Sequence, residues 1–565
     1  MQAETSLWQQ YENGLEYQRR MGFRARFPQY IRFKEGEQWA APTERTRNLP
    51  RSVFNIVEMF IRSKRAAVLN QHIALSYRPA DADLSPDGAE ADDGVRAAQE
   101  AADLTDYARV LWERAEQERL NAELIDDAAT LGTGVLHYYF DPTVRGGGKT
   151  PFVGEIRGES IDPLSIFFGD PQQCDVQKQP YVIIASRRRV SEVRQLAAQN
   201  GCSAEACGRI TRDETALCAY DAEQAEVRDE EKCTLLTRYY RVNGAVVFDQ
   251  ATRGMELVHA RPLTPRGRRA ITMYPVVLMV WKPRKHCIFG IGEAEGLILN
   301  QKAINFNMAM LLLSVQQTAW PKLISTPGAI RQPVTNEPGE HLIDYSAGGG
   351  GIRYLNPPAF GSTAIHLSSA VMEMSRTVAG VSEVATGEMT GSNMAASAII
   401  ALQSQAKTPI EEIQKRYWNV LRQVGRIWLQ FIQAYYVFDR AIPVTENGTL
   451  RVRRFNGVRS GDFAFDLSVD VGASGEYSEV LSQSTLDAFL ANGYITVDQY
   501  IELAPSNVVP FKEWLRQMRA ENRANEASAS ADAAPTPDQT PHARTYRPHG
   551  ADGVTLPEIP SARRV

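Results

Sequence analysis

The sequence has few cysteines, and they are not arranged as pairs. Its six cysteines are scattered irregularly among 565 residues, and no C-x-x-C pair occurs. This pattern argues against a disulfide scaffold and against a standard zinc knuckle. We therefore expect reduced cysteines, as in a protein of the cytoplasm.

Long apolar runs are missing as well. The most apolar segments, Pro275–Trp281 and Met308–Val315, are far shorter than the roughly 20 residues that span a bilayer. The N-terminal segment MQAETSLWQQYENG is polar and lacks the apolar core of a signal peptide. We expect no contact with a membrane, and synthesis in a cytoplasm.

Positive charge is not in excess. The net charge is −5, whereas proteins that grip nucleic acid over their whole surface are usually strongly basic. Catalytic signatures are also absent, since the sequence has neither G-x-S-x-G nor H-E-x-x-H, and no two of its eight histidines are four residues apart. We predict no enzyme, no metal and no cofactor, although a site assembled from distant residues stays open.

One segment imitates a phosphate-binding loop. RGGGKT, Arg145–Thr150, ends like G-x-x-x-x-G-K-[ST], but Thr143 stands where the first glycine should be. A phosphate-binding loop must also open a helix, and here Pro151 and a strand-like segment follow. The pattern favours a hairpin turn, with glycine present for its backbone freedom.

The chain reads as α+β and mostly helical, with about two to four domains expected for its length. Helical patterns dominate the first 130 residues, with helices predicted near 52–70 and 94–131. Strand patterns follow, and Asn243-Gly244 and Asn447-Gly448 each separate two strand-like segments as in a hairpin. Residues 526–565 contain few large apolar side chains, so we predict a disordered tail.

A very long helix is predicted from Met394 to Val437. Apolar residues recur at steps of three and four after Pro409, which defines one broad stripe. Proline in a helix interior removes a backbone hydrogen bond and kinks the axis. Two separate helices broken at Thr408-Pro409 are the alternative, and in either case the stripe is core or subunit interface.

A second helical pattern runs from Gly290 to Gln317 and has a polar but nearly uncharged face. Such a face suits a neighbouring subunit or a wet channel, and an ordinary surface helix is the alternative. A turn-rich insert follows it, then a helix over Ser362–Ala379 and a flexible segment before the long helix.

The order of these pieces resembles that of bacteriophage portal proteins, over most of residues 20–480. FKEGEQW is similar to the family's G-x-Q-W element, and Arg51–Ala80 to the helix and strand that follow it. GTGVLHYYFD and GEIRGESIDPLSIFFGDP resemble the family's wing strands. GIGEAEGLILNQKAINFNMAM is similar to the stem helix, and VAGVSEVATGEMTGSNMAASAI to the tunnel loop that leads into a kinked spine helix.

The resemblance implies an elongated subunit with wing, stem, clip and small crown, which assembles into a ring. The implied segments are N-terminal helices and α/β wing (1–289), stem helix 1 (290–318), clip (319–361), stem helix 2 (362–379), tunnel loop (380–393), long kinked spine helix (394–437), wing strands (438–474), helical crown (475–525) and disordered tail (526–565).

It also implies the function. A ring of about twelve subunits at one capsid vertex of the virion, assembled in the bacterial cytoplasm, would be the channel through which double-stranded DNA is packaged and ejected. The implied partners are DNA without sequence specificity, the terminase large subunit, a head–tail adaptor, and the major capsid and scaffolding proteins. Two alternatives stay open: a structural head–tail ring protein without DNA passage, and an NTPase, against which the degenerate RGGGKT argues.

The implied tunnel loop carries two glutamates and no lysine or arginine. Such a lining would let DNA slide, because each phosphate neutralised by a cation adds affinity; ordinary solvated glutamates are the alternative. The predicted DNA-facing residues are Glu383, Thr386, Glu388, Thr390, Ser392 and Asn393. In the implied clip, Arg331, Glu340 and Arg353 are the predicted contacts with partner proteins.

Overall fold

The computed structural model divides the chain into two compact units, Met1–Glu479 and Val480–Val565. It describes residues 6–71, 73–80, 89–146, 153–213, 232–319, 322–331, 333–335, 343–348, 351–355, 362–381, 396–446, 449–471, 485–497, 499–500, 515 and 518. In the second unit residues 485–491 are helical, and they lie within the range 475–525 that was predicted as a helical crown. The predicted disordered tail lies outside the described residues.

Helices and strands are mixed in the first unit, which confirms the α+β prediction. The helices are α1 (Leu7–Arg20), α2 (Phe23–Glu35), α3 (Ile56–Leu69), α4 (Ala89–Arg114), α5 (Gln117–Leu131), α6 (Val190–Gln199), α7 (Ala204–Gly208), α8 (Glu293–Ala319), α9 (Ser362–Ala379) and α10 (Ala396–Tyr435). The strands are β1 (Ile73–Pro79), β2 (Thr133–Asp141), β3 (Glu155–Ile161), β4 (Ile166–Phe168), β5 (Tyr181–Arg189), β6 (Lys232–Val242), β7 (Ala245–Thr252), β8 (Met255–Pro262), β9 (Val276–Val280), β10 (Lys282–Arg284), β11 (Cys287–Ile291), β12 (Lys322–Ser325), β13 (Ile352–Leu355), β14 (Arg440–Glu446), β15 (Thr449–Phe455) and β16 (Phe465–Val471).

The helix predicted over 94–131 is in fact two helices. It begins earlier, at Ala89, and breaks between Arg114 and Gln117, where Glu116 has a φ of 52°. A left-handed residue cannot continue a right-handed helix. Glutamate rarely adopts a positive φ, so the residue type did not indicate a break. The regular spacing of apolar residues therefore predicted one continuous helix.

The structure confirms the hairpin predicted at Asn243-Gly244. A five-stranded antiparallel sheet has the order β4-β5-β6-β7-β8. β6 and β7 meet at Asn243 and Gly244, both with positive φ, as a two-residue hairpin turn requires. β2 and β3 are also antiparallel neighbours, so the RGGGKT segment, of which only Arg145 and Gly146 are among the described residues, connects two paired strands.

One strand pair joins residues nearly 400 positions apart in the sequence. β1 pairs antiparallel with β16 along its whole length, from Ile73 opposite Val471 to Pro79 opposite Phe465. The strand ending at Pro79 and strands within 438–474 were predicted, but the pairing between them was not. This pairing fixes the region after α10 to the N-terminal helices within one folding unit.

α10 is a single helix that runs through Pro409, so the alternative of two broken helices is wrong. Its apolar stripe after Pro409 lies in the main hydrophobic core, where Leu421, Val424, Trp428 and Phe431 are fully buried. That half of the stripe is therefore core and not subunit interface.

An acidic group on α5 is expected to make the stability of the fold depend on pH. Burial raises the pKa of Asp127 to about 7, and the charges of Asp162 and Asp126 add to the rise. A carboxyl whose pKa is higher in the folded chain stabilises the fold below its unfolded pKa, and this stabilisation is lost as the pH rises towards 7. We expect Asp127→Asn to raise the free energy of unfolding by about 2 kcal/mol at pH 8, and to have little effect at pH 4.

Urea unfolding at the two pH values tests this expectation. Asp126→Asn is the matched control, because Asp126 forms ion pairs with Lys34 and Arg65 and its loss should destabilise the fold at pH 8. Equal effects of the two variants at pH 8 would contradict the prediction.

Candidate functional site

The candidate site is built on α8, which starts later than the sequence indicates. Gly290 belongs to strand β11, and the helix begins at Glu293. A Cβ added to Gly290 would lie 2.4 Å from the carbonyl oxygen of Gly132, which is a clash. The glycine is therefore required for strand packing and not for opening the helix.

The first residue of α8 is anchored by a buried ion pair. Glu293 accepts from Lys64 at 2.7 Å and from the indole nitrogen of Trp281 at 2.7 Å. Lys282 lies 3.0 Å from its other oxygen. Burial raises the pKa of Glu293, but the charges of Lys64 and Lys282 and the hydrogen bonds outweigh it, so the pKa lies below its usual range. The carboxylate at this end also suits the helix dipole.

A chain of buried amides then holds α8 to the N-terminal region. Gln301 accepts from the backbone amide of Ile56 at 2.8 Å and donates to Asn305 at 2.9 Å. Asn305 donates to Gln38 at 2.6 Å, and Gln38 donates to Asn55 at 3.0 Å. Asn55 in turn caps α3. Part of the polar face of α8 is thus buried within the chain, whereas the sequence suggested a face that suits a neighbouring subunit or a channel, or an ordinary surface helix.

α9 packs against α8, with Asn300 donating to Ser375 at 3.0 Å. Large apolar side chains remain exposed on both helices. On α8, Leu299 is 75% exposed and Phe306 54%, and their spacing of seven residues places them on the side opposite the buried residues. On α9 three exposed apolar residues share one side of the helix, because they are spaced by seven and by four residues: Leu367, Met374 and Val378.

Charge is scarce along α8. Between Gly296 and Ala319 the one ionisable side chain is Lys302, which lies over the ring of Phe33. Ordinary surface helices carry many charges, whereas the cores of protein interfaces are depleted of them. We refer below to the exposed apolar sides of α8 and α9, with these five residues, as the outer face.

The segment between α8 and α9 contains the short antiparallel pair β12–β13. Arg353 is exposed on β13, and Arg331 is exposed with its guanidinium 4.7 Å from the ring centre of Tyr345. Both predicted contact residues are thus accessible in the single chain. Glu340, the third, lies outside the described residues.

The C-terminus of α9 is closed by a tight cap. The amide of Val381 donates to the carbonyl of Arg376, and that of Gly380 to the carbonyl of Thr377, which is the Schellman arrangement. Gly380 has a φ of 67° and lies beside Pro409, about 3.4 Å from an added Cβ. The first two residues of the predicted tunnel loop are therefore held against α10. Its six predicted DNA-facing residues lie outside the described residues.

One group of potential metal ligands comes together in the described part of the chain, namely Asp249, Glu256 and His259. Asp249 is fully buried, but it already accepts hydrogen bonds from the guanidinium of Arg238 and from Tyr240. Its charge is thus neutralised, and the group is explained as a structural contact of the sheet.

Comparison with known proteins identifies the family. A model of the phage P22-like portal protein family matches residues 260–544, just over half of the chain. The chain belongs to the phage P22-like portal protein family. The matched region contains α8, α9, α10 and the strand β16, and it starts in the strand β8.

The portal match does not cover the N-terminal segments that suggested the resemblance. Those segments nevertheless contact the matched region directly, because Gln38 and Asn55 join the amide chain of α8, and β1 pairs with β16. A search of curated proteins found no match. Among the described helices of this portal family member, none combines the length and apolarity needed to cross a bilayer.

Sequence reasoning missed the amide chain and the buried ion pair. The family resemblance points to the G-x-Q-W element, which contains Gln38, and to Asn55. It therefore gives a signal for these two of the four amides. Gln301 and Asn305 are spaced four apart on one side of α8, but nothing local indicated that this side is buried.

Proposed function

We propose that this chain is the subunit of a closed ring at one capsid vertex, through which viral double-stranded DNA is packaged and ejected. Membership of the portal family supports the proposal. The observation that carries the assembly step is the outer face of α8 and α9, an apolar and nearly uncharged surface in the single chain. Exposed patches of this kind mark protein interaction sites.

The occupant of the outer face is a second copy of the chain. Copies related by a rotation that closes on itself form a ring through one repeated interface, and a ring of about twelve matches the family resemblance. In this assembly α8 and α9 are the stem, residues 319–361 the clip and residues 380–393 the tunnel loop. The elements in 1–289 and 438–474 are the wing, and 475–525 the crown.

The exposed arginines of the clip suit acidic surfaces on other proteins. Arg331 and Arg353, with Glu340, are the residues we assign to contacts with the head–tail adaptor and the terminase large subunit. Guanidinium groups bind carboxylates through paired hydrogen bonds. The major capsid and scaffolding proteins are the partners that we assign to the wing. The ring needs no cofactor of its own, because the terminase motor supplies the energy.

Electron microscopy of the purified chain, viewed down the symmetry axis, tests the assembly and the channel. A ring of about twelve subunits with a channel wide enough for duplex DNA is the expected result. A ring with a narrower hole would favour a head–tail structural protein without DNA passage. Compact particles that hydrolyse nucleotide would favour an NTPase.

The charge of the tunnel loop gives a functional prediction. We expect Glu383→Lys combined with Glu388→Lys to slow DNA packaging in vitro while rings still form, because each added cation increases affinity for the passing phosphates. The matched control is Glu113→Lys combined with Glu205→Lys, which makes the same charge change at exposed sites on α4 and α7. A normal packaging rate in the loop variant would contradict the prediction that this loop faces the DNA.

A further inference from the structure

A cavity of about 460 Å³ lies away from the outer face, where three parts of the first unit meet. They are the C-terminal end of α4, the connection between β2 and β3 with the start of β3, and the start of β14. The residues lining it are Arg114, Val144, Arg145, Gly146, Val153, Glu155, Arg157, Asp439, Arg440 and Ala441. Arg145 is the first residue of RGGGKT, a motif that the proposed function does not use.

The cavity is strongly basic. Four arginines and two carboxylates line it, which leaves an excess of two positive charges. Such an excess in a confined space favours an anion, because fields are stronger where water is partly excluded.

The carboxylate of Glu155 is already saturated by the protein. One of its oxygens accepts from Arg440 at 3.0 Å and from Arg114 at 3.2 Å. Its other oxygen accepts from the hydroxyls of Tyr107 and Tyr436. Glu155 therefore has no free lone-pair direction with which to pair the remaining arginines.

Several donors are left over. Within the described part of the chain, the guanidinium of Arg145 has no hydrogen bond or ion pair. That of Arg157 donates to the carbonyl of Arg114 at 3.2 Å, which leaves most of its N–H groups for a ligand. Arg440 is 5% exposed, and its terminal nitrogens already donate to Glu155 and to the carbonyls of Val153 and Gly154, so it contributes positive charge and not free donors. Arg145 and Arg157 supply a directional donor set, and not only a diffuse positive charge.

We infer that this cavity binds a phosphate group. A phosphate dianion matches the excess of two charges, and its oxygens can accept from several guanidinium groups at once. A carboxylate carries one charge and two oxygens, so it would leave part of the donor set unsatisfied. The cavity is also within the size range of small-molecule sites. The ligand is therefore a phosphate dianion from the solution, because a phosphodiester of a DNA backbone carries one charge and two free oxygens, as a carboxylate does.

The test compares the full-length protein with Arg145→Gln combined with Arg157→Gln. Both side chains are at least partly exposed and neither contacts Glu155, so the variant should fold with an unchanged urea midpoint. Arg253→Gln combined with Arg266→Gln, which removes two charges at exposed arginines, is the control for charge. Binding of orthophosphate, of acetate and of a short DNA duplex is measured at constant ionic strength, by calorimetry for the ions and by fluorescence polarisation for the duplex.

Orthophosphate binding that weakens at least about tenfold in the double variant, and not in the control, supports a site for free phosphate. A loss confined to the duplex, again absent from the control, would overturn the inference, because a backbone phosphate carries one charge and not two. Acetate binding as tightly as orthophosphate would overturn the inference in favour of a carboxylate. Equal behaviour of the double variant and the control with every ligand would also overturn it. Ring formation is not required for any of these readouts, so the inference stands or falls independently of the proposed function.

Discussion

A chain carrying Leu299→Glu and Phe306→Glu is expected to remain a monomer at concentrations at which the unaltered chain forms rings. Both side chains lie on the outer face, where they are 75% and 54% exposed in the single chain. Glutamate costs little there while the face is in water. In the ring the same positions would be buried, and an unpaired buried charge costs several kcal/mol.

The expected loss of subunit association is at least about a hundredfold. Sedimentation velocity over a concentration series measures it, and electron microscopy checks for residual rings. Val95→Glu combined with Val452→Glu is the matched control, since both are exposed apolar residues away from the outer face, with 69% and 63% exposure. Rings of normal stability in the double variant would remove the outer face from the assembly interface.

The variant must also keep its fold for the result to be decisive. Neither residue belongs to the buried set of α8, which includes Leu297, Gln301 and Ile304. We therefore expect the urea midpoint of the dilute monomer to be unchanged. A lower midpoint would mean that these side chains support the subunit itself.

Glu293→Gln is expected to lower the free energy of unfolding by about 3–5 kcal/mol at pH 7. The change leaves Lys64, whose side chain is 5% exposed, without its carboxylate at 2.7 Å. A buried charge that loses its partner keeps its desolvation cost. Adding Lys64→Met should recover part of the loss, since it removes the unpaired charge while glutamine can still accept from Trp281.

Urea unfolding of the dilute monomer, followed by circular dichroism, measures these differences. The control is Glu295→Gln, two residues further along α8, whose partners Arg26 and Arg284 are partly exposed. Its expected cost is below about 1 kcal/mol. A similar loss of unfolding free energy in the two glutamine variants would contradict the prediction that the buried pair of Lys64 and Glu293 contributes more than a partly exposed pair.

The pH dependence follows from the lowered pKa of Glu293. A carboxyl with a depressed folded pKa contributes stability above its unfolded pKa, about 4.5, and loses it as the pH falls through the folded value. The difference between wild type and Glu293→Gln should therefore be largest at pH 7 and should shrink below about pH 4.

The elements that sequence predicted well are those with local signals. Asn243-Gly244 indicated the β6–β7 turn because few other dipeptides adopt two consecutive positive φ angles. The spacing of apolar residues after Pro409 predicted the buried half of α10, because helical periodicity is also visible within a short stretch of sequence. The order of motifs pointed to the portal family, which the family match then confirmed.

Contacts between distant residues could not be predicted in the same way. The pairing of β1 with β16 depends on the arrangement of the helices around both strands, and strand patterns alone do not select a partner. The amide chain from Gln38 to Asn305 and the pair of Lys64 with Glu293 have the same origin. Polar residues on a helix usually mark solvent, and only the packing of α8 against α2 and α3 makes them interior.

The sequence by itself determined the mixed α and β class, the Asn243-Gly244 hairpin, the long helix through Pro409 and the family. Each of these follows from backbone preferences and periodicities that act over a few residues, or from motif order. The tertiary structure alone decided which polar residues of α8 are buried, which apolar residues of α8 and α9 stay exposed, and that four arginines from separate elements share one cavity. Burial and charge balance are properties of a three-dimensional neighbourhood, and residues far apart in the chain create them together.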